Sequence, residues 1–276
     1  MEFLEAVRAH PFLQKALLLG LFSSVACGTM GTYVVVKRIS FISGGISHAI
    51  LGGMGVAYFL GSSPRIGALA SALVAAVLIG LTSLKARQRE DTAIGALWAT
   101  GMAIGIVFIS RTPGYSVDLM SYLFGNILLV RDADLLWTAC LDVVVLASVA
   151  VFYNGFLAVC FDEENARLQG IPVEVTYIGL LCLIALTVVI LVQVVGIVLV
   201  IALLTLPAAV ANLFARRVSR MMVLACLLGV AYVWGGLFVS YGPNLPAGAS
   251  IILVAATSYI VCLVLVNLRN RLAGRL

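Results

Sequence analysis

With 276 residues, 63% of them hydrophobic and only 11% charged, and a mean hydropathy of +1.15, the chain cannot hide its apolar surface as a water-soluble domain, much of whose area must face water. The net charge of +5 calls for no nucleic acid, because the basic residues sit in short clusters between apolar stretches. The expected class is an all-α, polytopic integral membrane bundle. The apolar runs are continuous and not alternating, which excludes a β-barrel.

Residues 1–15 carry Glu2, Glu5, Arg8, His10 and Lys15 and lack the basic start and small-residue cleavage site of a signal peptide. An amphipathic helix at the membrane interface is expected there. Beyond it, the spacing of charges sets the frame. There are 21 uncharged residues between Lys15 and Lys37, 19 between Arg65 and Lys85, and 19 between Asp91 and Arg111. Glu174 and Arg216 bracket 41, and Arg220 and Arg269 bracket 48. At 1.5 Å per residue, roughly 20 residues cross a ~30 Å hydrocarbon core. Nine crossings are predicted, at 16–36, 45–61, 66–84, 92–110, 135–160, 175–192, 195–214, 221–241 and 248–267, and eight would also fit the composition. The stretch 118–130, DLMSYLFGNILLV, is too short to span and suits a re-entrant segment. Between Glu174 and Arg216 two full crossings barely fit, so Gly196 and Pro207 predict a broken or shortened helix.

Eleven of the seventeen basic residues fall in four clusters: Lys37-Arg38, Lys85/Arg87/Arg89, Arg216/Arg217/Arg220 and Arg269/Arg271/Arg275. Nine crossings place all four on one side, together with the acidic loop FDEENARLQG at 161–170. The positive-inside rule makes that side the cytoplasm. No polar stretch is long enough to form a second domain, so residues 1–276 are a single transmembrane domain. No Walker A motif occurs, so ATP binding by this chain through a P-loop is not expected. The six cysteines are scattered through apolar stretches without metal-ligand spacing and suit packing roles.

Charged or titratable groups inside a span are expensive and are therefore the first functional candidates. His48 lies in ISGGISHAILGGMG. On a helix Gly44, His48 and Gly52 share one face, which puts the imidazole in a notch. Two readings stay open: close helix packing with His48 bonding across the interface, or a metal or proton site. Asp142 is expected to snorkel towards the outer interface. Gly95, Gly101 and Gly105 suit helix packing. The segment LPAAVANLFARRVSRMM (206–222) pairs a proline and small residues with Arg216, Arg217 and Arg220. It fits either a positive-inside anchor or a helix that docks a cytoplasmic protein.

The chain resembles the permease subunits of bacterial and archaeal ABC importers for zinc, manganese or iron. The resemblance rests on VVVKRISFISGGISHAILGG, DLMSYLFGNIL, FDEENARLQGIP, VVGIVLVIALLTLPAAVANLFARRVSRM and NLPAGASIILV, in that order. It implies a bacterial or archaeal cytoplasmic-membrane protein that pairs with a second copy of itself. It also implies cytoplasmic P-loop ATPase subunits and an extracytoplasmic metal-binding protein as partners. The divalent metal would be substrate, ATP would bind the partner subunit, and no cofactor would reside in this chain. By the same resemblance His48 lines the metal pathway, flanked by Gly44 and Gly52. Segment 206–220 would couple to the ATPase through Pro207, Ala208, Ala209, Asn212, Arg216 and Arg217. Family members commonly carry an Asp one turn before this histidine, where this chain has Gly44. Without that hard oxygen ligand, Zn²⁺ is favoured over Mn²⁺. The alternatives are an importer permease for a metal chelate or cobalamin-like ligand, and an ion-coupled secondary transporter.

Overall fold

In lipid every backbone N–H and C=O must find its partner within the chain, so long apolar segments have little choice but to become helices. A computed structural model of the protein describes residues 2–86, 90–112, 125, 127–243 and 245–273, and it contains helices and no strands among them. They are α1 (Glu2–Ala9), α2 (Pro11–Lys37), α3 (Ser40–Phe59), α4 (Pro64–Ala86), α5 (Glu90–Ser110), α6 (Asp132–Phe161), α7 (Glu163–Leu168), α8 (Val173–Val195), α9 (Ile197–Phe214), α10 (Val218–Tyr241) and α11 (Ala247–Ala273). Pro11 opens α2 at a position where its missing N–H costs nothing. Arg38 ends the same helix in the left-handed conformation, with its N–H bonded back to Val34 and Val35.

Among the described residues eight helices are long and apolar enough to cross a membrane. The chain is a multi-pass membrane protein. The fourth predicted crossing, 92–110, is helical, but its apolar part is only Ile94–Ser110, about 25 Å long at 1.5 Å per residue. The break predicted between the sixth and seventh crossings is a single residue. Gly196, at φ 82 and ψ 162, separates α8 from α9 in a conformation that a side chain disfavours. Gly125, also at positive φ, lies so close to Val195 and Gly196 that a side chain there would overlap them. Most of the predicted re-entrant stretch 118–130 lies outside the described residues. Its described end, Ile127–Leu129, is one 3₁₀ turn with Ile127 buried.

Helix α2 is the hub, packed against α6, α8, α9 and α10, while α3, α4 and α5 form a sub-bundle joined to it largely through α8. Five hydroxyls inside the spans return to their own helix: Ser24, Ser47, Thr32, Thr187 and Thr205 each donate to the carbonyl four residues earlier. That satisfies each group without a partner helix, so apolar packing decides which faces meet. Burial follows this pattern. Tyr33, Tyr177, Met30, Ile42, Ile46 and Leu181 are among the largest fully buried side chains, while Val151, Leu253 and Leu265 face outward to lipid. The six cysteines are free, as their positions led us to expect.

Candidate functional site

Helix α3 meets α5 with almost no side chain between them. A methyl group added at Gly52 would sit 2.8 Å from the Gly101 carbonyl oxygen, and one added at Gly55 would sit 2.7 Å from that of Gly105. From the other side, one at Gly101 would lie 2.6 Å from the Ala49 Cα. Backbone therefore rests on backbone, the close approach that small residues permit in a membrane. Gly101 and Gly105 are packing glycines, whereas nothing lies within 4 Å of a methyl at Gly95.

This seam carries His48 to the side chain of Trp98 on α5. The two rings stack at 4.1 Å between centroids and 13° between planes. His48 is 8% exposed, and its Nδ1 is buried with no hydrogen-bond partner. It lies eight residues into a twenty-residue helix, about 12 Å from the cytoplasmic end, so the imidazole sits near mid-membrane. A buried nitrogen without a partner is costly, and a ring held flat against an indole cannot turn to find one. The notch read from the glycine spacing is thus filled by Trp98, a residue that no pattern in the sequence singles out. The two glycines of the notch also differ. Gly52 is fixed by the α5 backbone, but a methyl at Gly44 would meet Trp98 at 3.4 Å and Ile201 of α9 at 3.9 Å, both ordinary contacts. Position 44 can hold a side chain.

Asp142 does not snorkel. It is 7% exposed, ten residues into the thirty-residue α6, and it lies against the Ala26 backbone of α2 with Oδ1 unpartnered. Among the described residues no group of three or more His, Cys, Asp or Glu is arranged to hold a metal ion.

The 206–220 segment is not a separate docking helix. Residues 206–214 are the last half of α9, with Pro207 inside the helix. Pro207 and Ala208 are buried, and Ala208 packs with Ala211, Met221 and Ala225 against Val35 and Val36 of α2. Their small size serves the approach of α10 and α2. Ala209 is half-buried. Asn212, Phe214, Arg216 and Arg217 are exposed at the cytoplasmic exit.

A second cytoplasmic element caps the end of α6. In the loop read only as acidic, Asp162 caps α7 by accepting from the Asn165 N–H at 3.0 Å. Ala166 anchors the turn from beneath, and Leu168 is 88% exposed beside an exposed Phe161. Lys37 fastens this helix to the bundle. Its ammonium donates to Glu163 at 2.6 Å and to the Val159 carbonyl at 3.0 Å, and it lies 5.4 Å from the Tyr177 ring centroid.

The chain is similar to proteins from distant bacteria. It is 44% identical over 254 residues to an uncharacterized membrane protein of Synechocystis, covering 92% of this chain and 90% of that one. It is 38% identical over 261 residues to the manganese transport system membrane protein MntC of Listeria monocytogenes, covering 95% and 93%. The fold matches a chain in the structure of PsaBC from Streptococcus pneumoniae in complex with Fab, with a TM-score of 0.83 and 34% identity over 95% of this chain and 94% of that one. Residues 9–266 match the ABC 3 transport family, and the chain belongs to that family.

Proposed function

We propose that this chain is the membrane permease of an importer for divalent transition metals, with His48 on the ion's path and ATP hydrolysed by separate subunits. One observation carries the reading: a mid-membrane imidazole is stacked on Trp98 and keeps a nitrogen unpartnered. A neutral imidazole in that state offers a lone pair to a passing cation. A second copy of the chain would bring a second His48, and the pair would make a weak, two-imidazole way-station suited to release. Transport then proceeds by alternating access as the two copies move against each other. An extracytoplasmic metal-binding protein delivers the ion from the other side.

The ATPase would engage the cytoplasmic face formed by α7 and the turn after α9. Exposed Phe161 and Leu168 supply an apolar contact there, and Asn212, Arg216 and Arg217 a polar one. This keeps the outward-facing half of the 206–220 surface and adds the 161–168 loop to it. An imidazole without a carboxylate one turn earlier favours Zn²⁺. Manganese is the second reading, supported by the name of the Listeria relative. An ion-coupled secondary transporter would need carboxylates in the spans, and Asp142 is a lone one against the α2 backbone.

The test is metal uptake into proteoliposomes holding the chain with its ATPase. His48→Ala is expected to lower uptake at least about tenfold, the loss of one metal-directed ligand interaction, while the ATPase still co-purifies. Normal uptake by His48→Ala would make the histidine a packing residue. ATP-independent uptake by the chain alone would remove the importer reading altogether.

A further inference from the structure

At the end of the bundle opposite the basic clusters, the helix starts of α4 and α6 and the last turns of α8 enclose a cleft of ≈ 380 Å³. Its wall is mostly apolar, with Ile66, Leu69, Val189 and Ile190 beside Trp137, and it also carries the paired side chains of Arg65 and Asp134. Trp137 is 59% exposed, the position of an aromatic ring at the level of lipid headgroups. The mouth carries more cation than it can neutralise. Arg65 donates to Asp134 at 3.2 Å, and Arg131 grips the same carboxylate through two bonds at 3.0 and 3.2 Å. At the same helix end Lys15 takes up Asp132 at 2.6 Å. Three cations thus share two carboxylates. The Asp134 hydrogen bond and charge raise the Arg131 pKa, so its guanidinium stays charged.

We propose that this cleft holds one phospholipid of the outer leaflet, with its phosphate on Arg65 and one acyl chain between α4, α6 and α8. Both halves of such a molecule are matched. An apolar cavity of ~150 Å³ holds benzene, so 380 Å³ has room for a chain of about fifteen carbons. The surplus positive charge meets the phosphodiester where Arg65 and Trp137 reach headgroup depth. The occupant would brace the corner of the bundle formed by the last turns of α8, directly before the Gly196 break.

The experiment is native mass spectrometry of the full chain in non-ionic detergent. The probes are phosphatidylglycerol, a diacylglycerol with the same chains but no phosphate, and inorganic phosphate. One phosphatidylglycerol per chain is expected to stay bound, with no retention of the diacylglycerol and no displacement by millimolar phosphate. Arg65→Gln should lower occupancy about tenfold or more, the loss of one charge-assisted bond. Asp134 keeps Arg131 in that variant, so the start of α6 stays paired. Ile190→Trp fills the cleft without touching the arginines and should lower occupancy as much. Equal retention by wild type and both variants overturns the proposal, as does equal retention of the diacylglycerol or displacement by free phosphate. If Ile190→Trp instead splits a dimer of the chain and leaves phosphatidylglycerol bound, the cleft belongs to a second copy and the proposal fails.

Discussion

Adding one methyl group at Gly52 and one at Gly44 tests whether the two glycines flanking His48 do different work. At Gly52 the new carbon lands 2.8 Å from the Gly101 carbonyl oxygen and 3.3 Å from its Cα, and both of those atoms are backbone that cannot rotate away. The α3–α5 seam must open by several tenths of an ångström, and overpacking of this kind costs about 1–3 kcal/mol. At roughly 2–4 °C per kcal/mol for a protein of this size, Gly52→Ala should lower the melting temperature in detergent by about 5 °C. At Gly44 the nearest atoms are at 3.4 and 3.9 Å, so Gly44→Ala should shift it by no more than about 1 °C. The seam also sets the 4.1 Å stack of His48 on Trp98. In a background with Trp137→Phe and Trp234→Phe, the remaining tryptophan should change its emission in Gly52→Ala and keep it in Gly44→Ala. If the two substitutions prove equal in stability and emission, backbone contact between α3 and α5 does not hold the histidine in place.

Two further outcomes follow from the same geometry. A β-carbon at Gly44 makes only ordinary contacts, and Gly44→Asp places a carboxylate one turn from His48, so uptake competition should shift about tenfold or more towards Mn²⁺ relative to Zn²⁺; an unchanged preference would remove position 44 from the path. Leu168→Glu places a charge on the most exposed apolar side chain of the cytoplasmic face, so it should lower co-purification with the ATPase and uptake together, without changing the melting temperature; intact coupling would return the contact to residues 212–217 alone.

What was legible in the sequence is what lipid imposes on a chain residue by residue. Charge spacing located the helices because a charge within a span is costly wherever the neighbours lie. Gly196 was legible as a break because the 41 uncharged residues around it barely hold two full crossings. What depends on the register between helices was not. Trp98 became a partner of His48 only when Gly52 and Gly101 let α5 close on α3, and no periodicity in either helix encodes that pairing. Asp142 was placed at the interface by its distance from the polar loop, yet α6 begins at Asp132 and carries it ten residues into the bundle. Pro207 and Ala208 were given a coupling role by the family resemblance, because the residues themselves fitted an anchor and a docking helix alike. Small residues beside a membrane exit serve a foreign surface and a neighbouring helix equally well, and here α2 and α10 took them.

Lys37 gives the cytoplasmic face a mechanical property. The last residue of α2 holds α7 through Glu163, the end of α6 through the Val159 carbonyl and the ring of Tyr177 on α8, all with one ammonium group. Because α2 touches four other membrane helices, a push on α7 is not absorbed in a loop but arrives at the axle of the bundle after one salt bridge. A displacement of α7 is thereby shared with four helices at once, through this one ammonium group and through the buried Ala166 that seats α7 on the core.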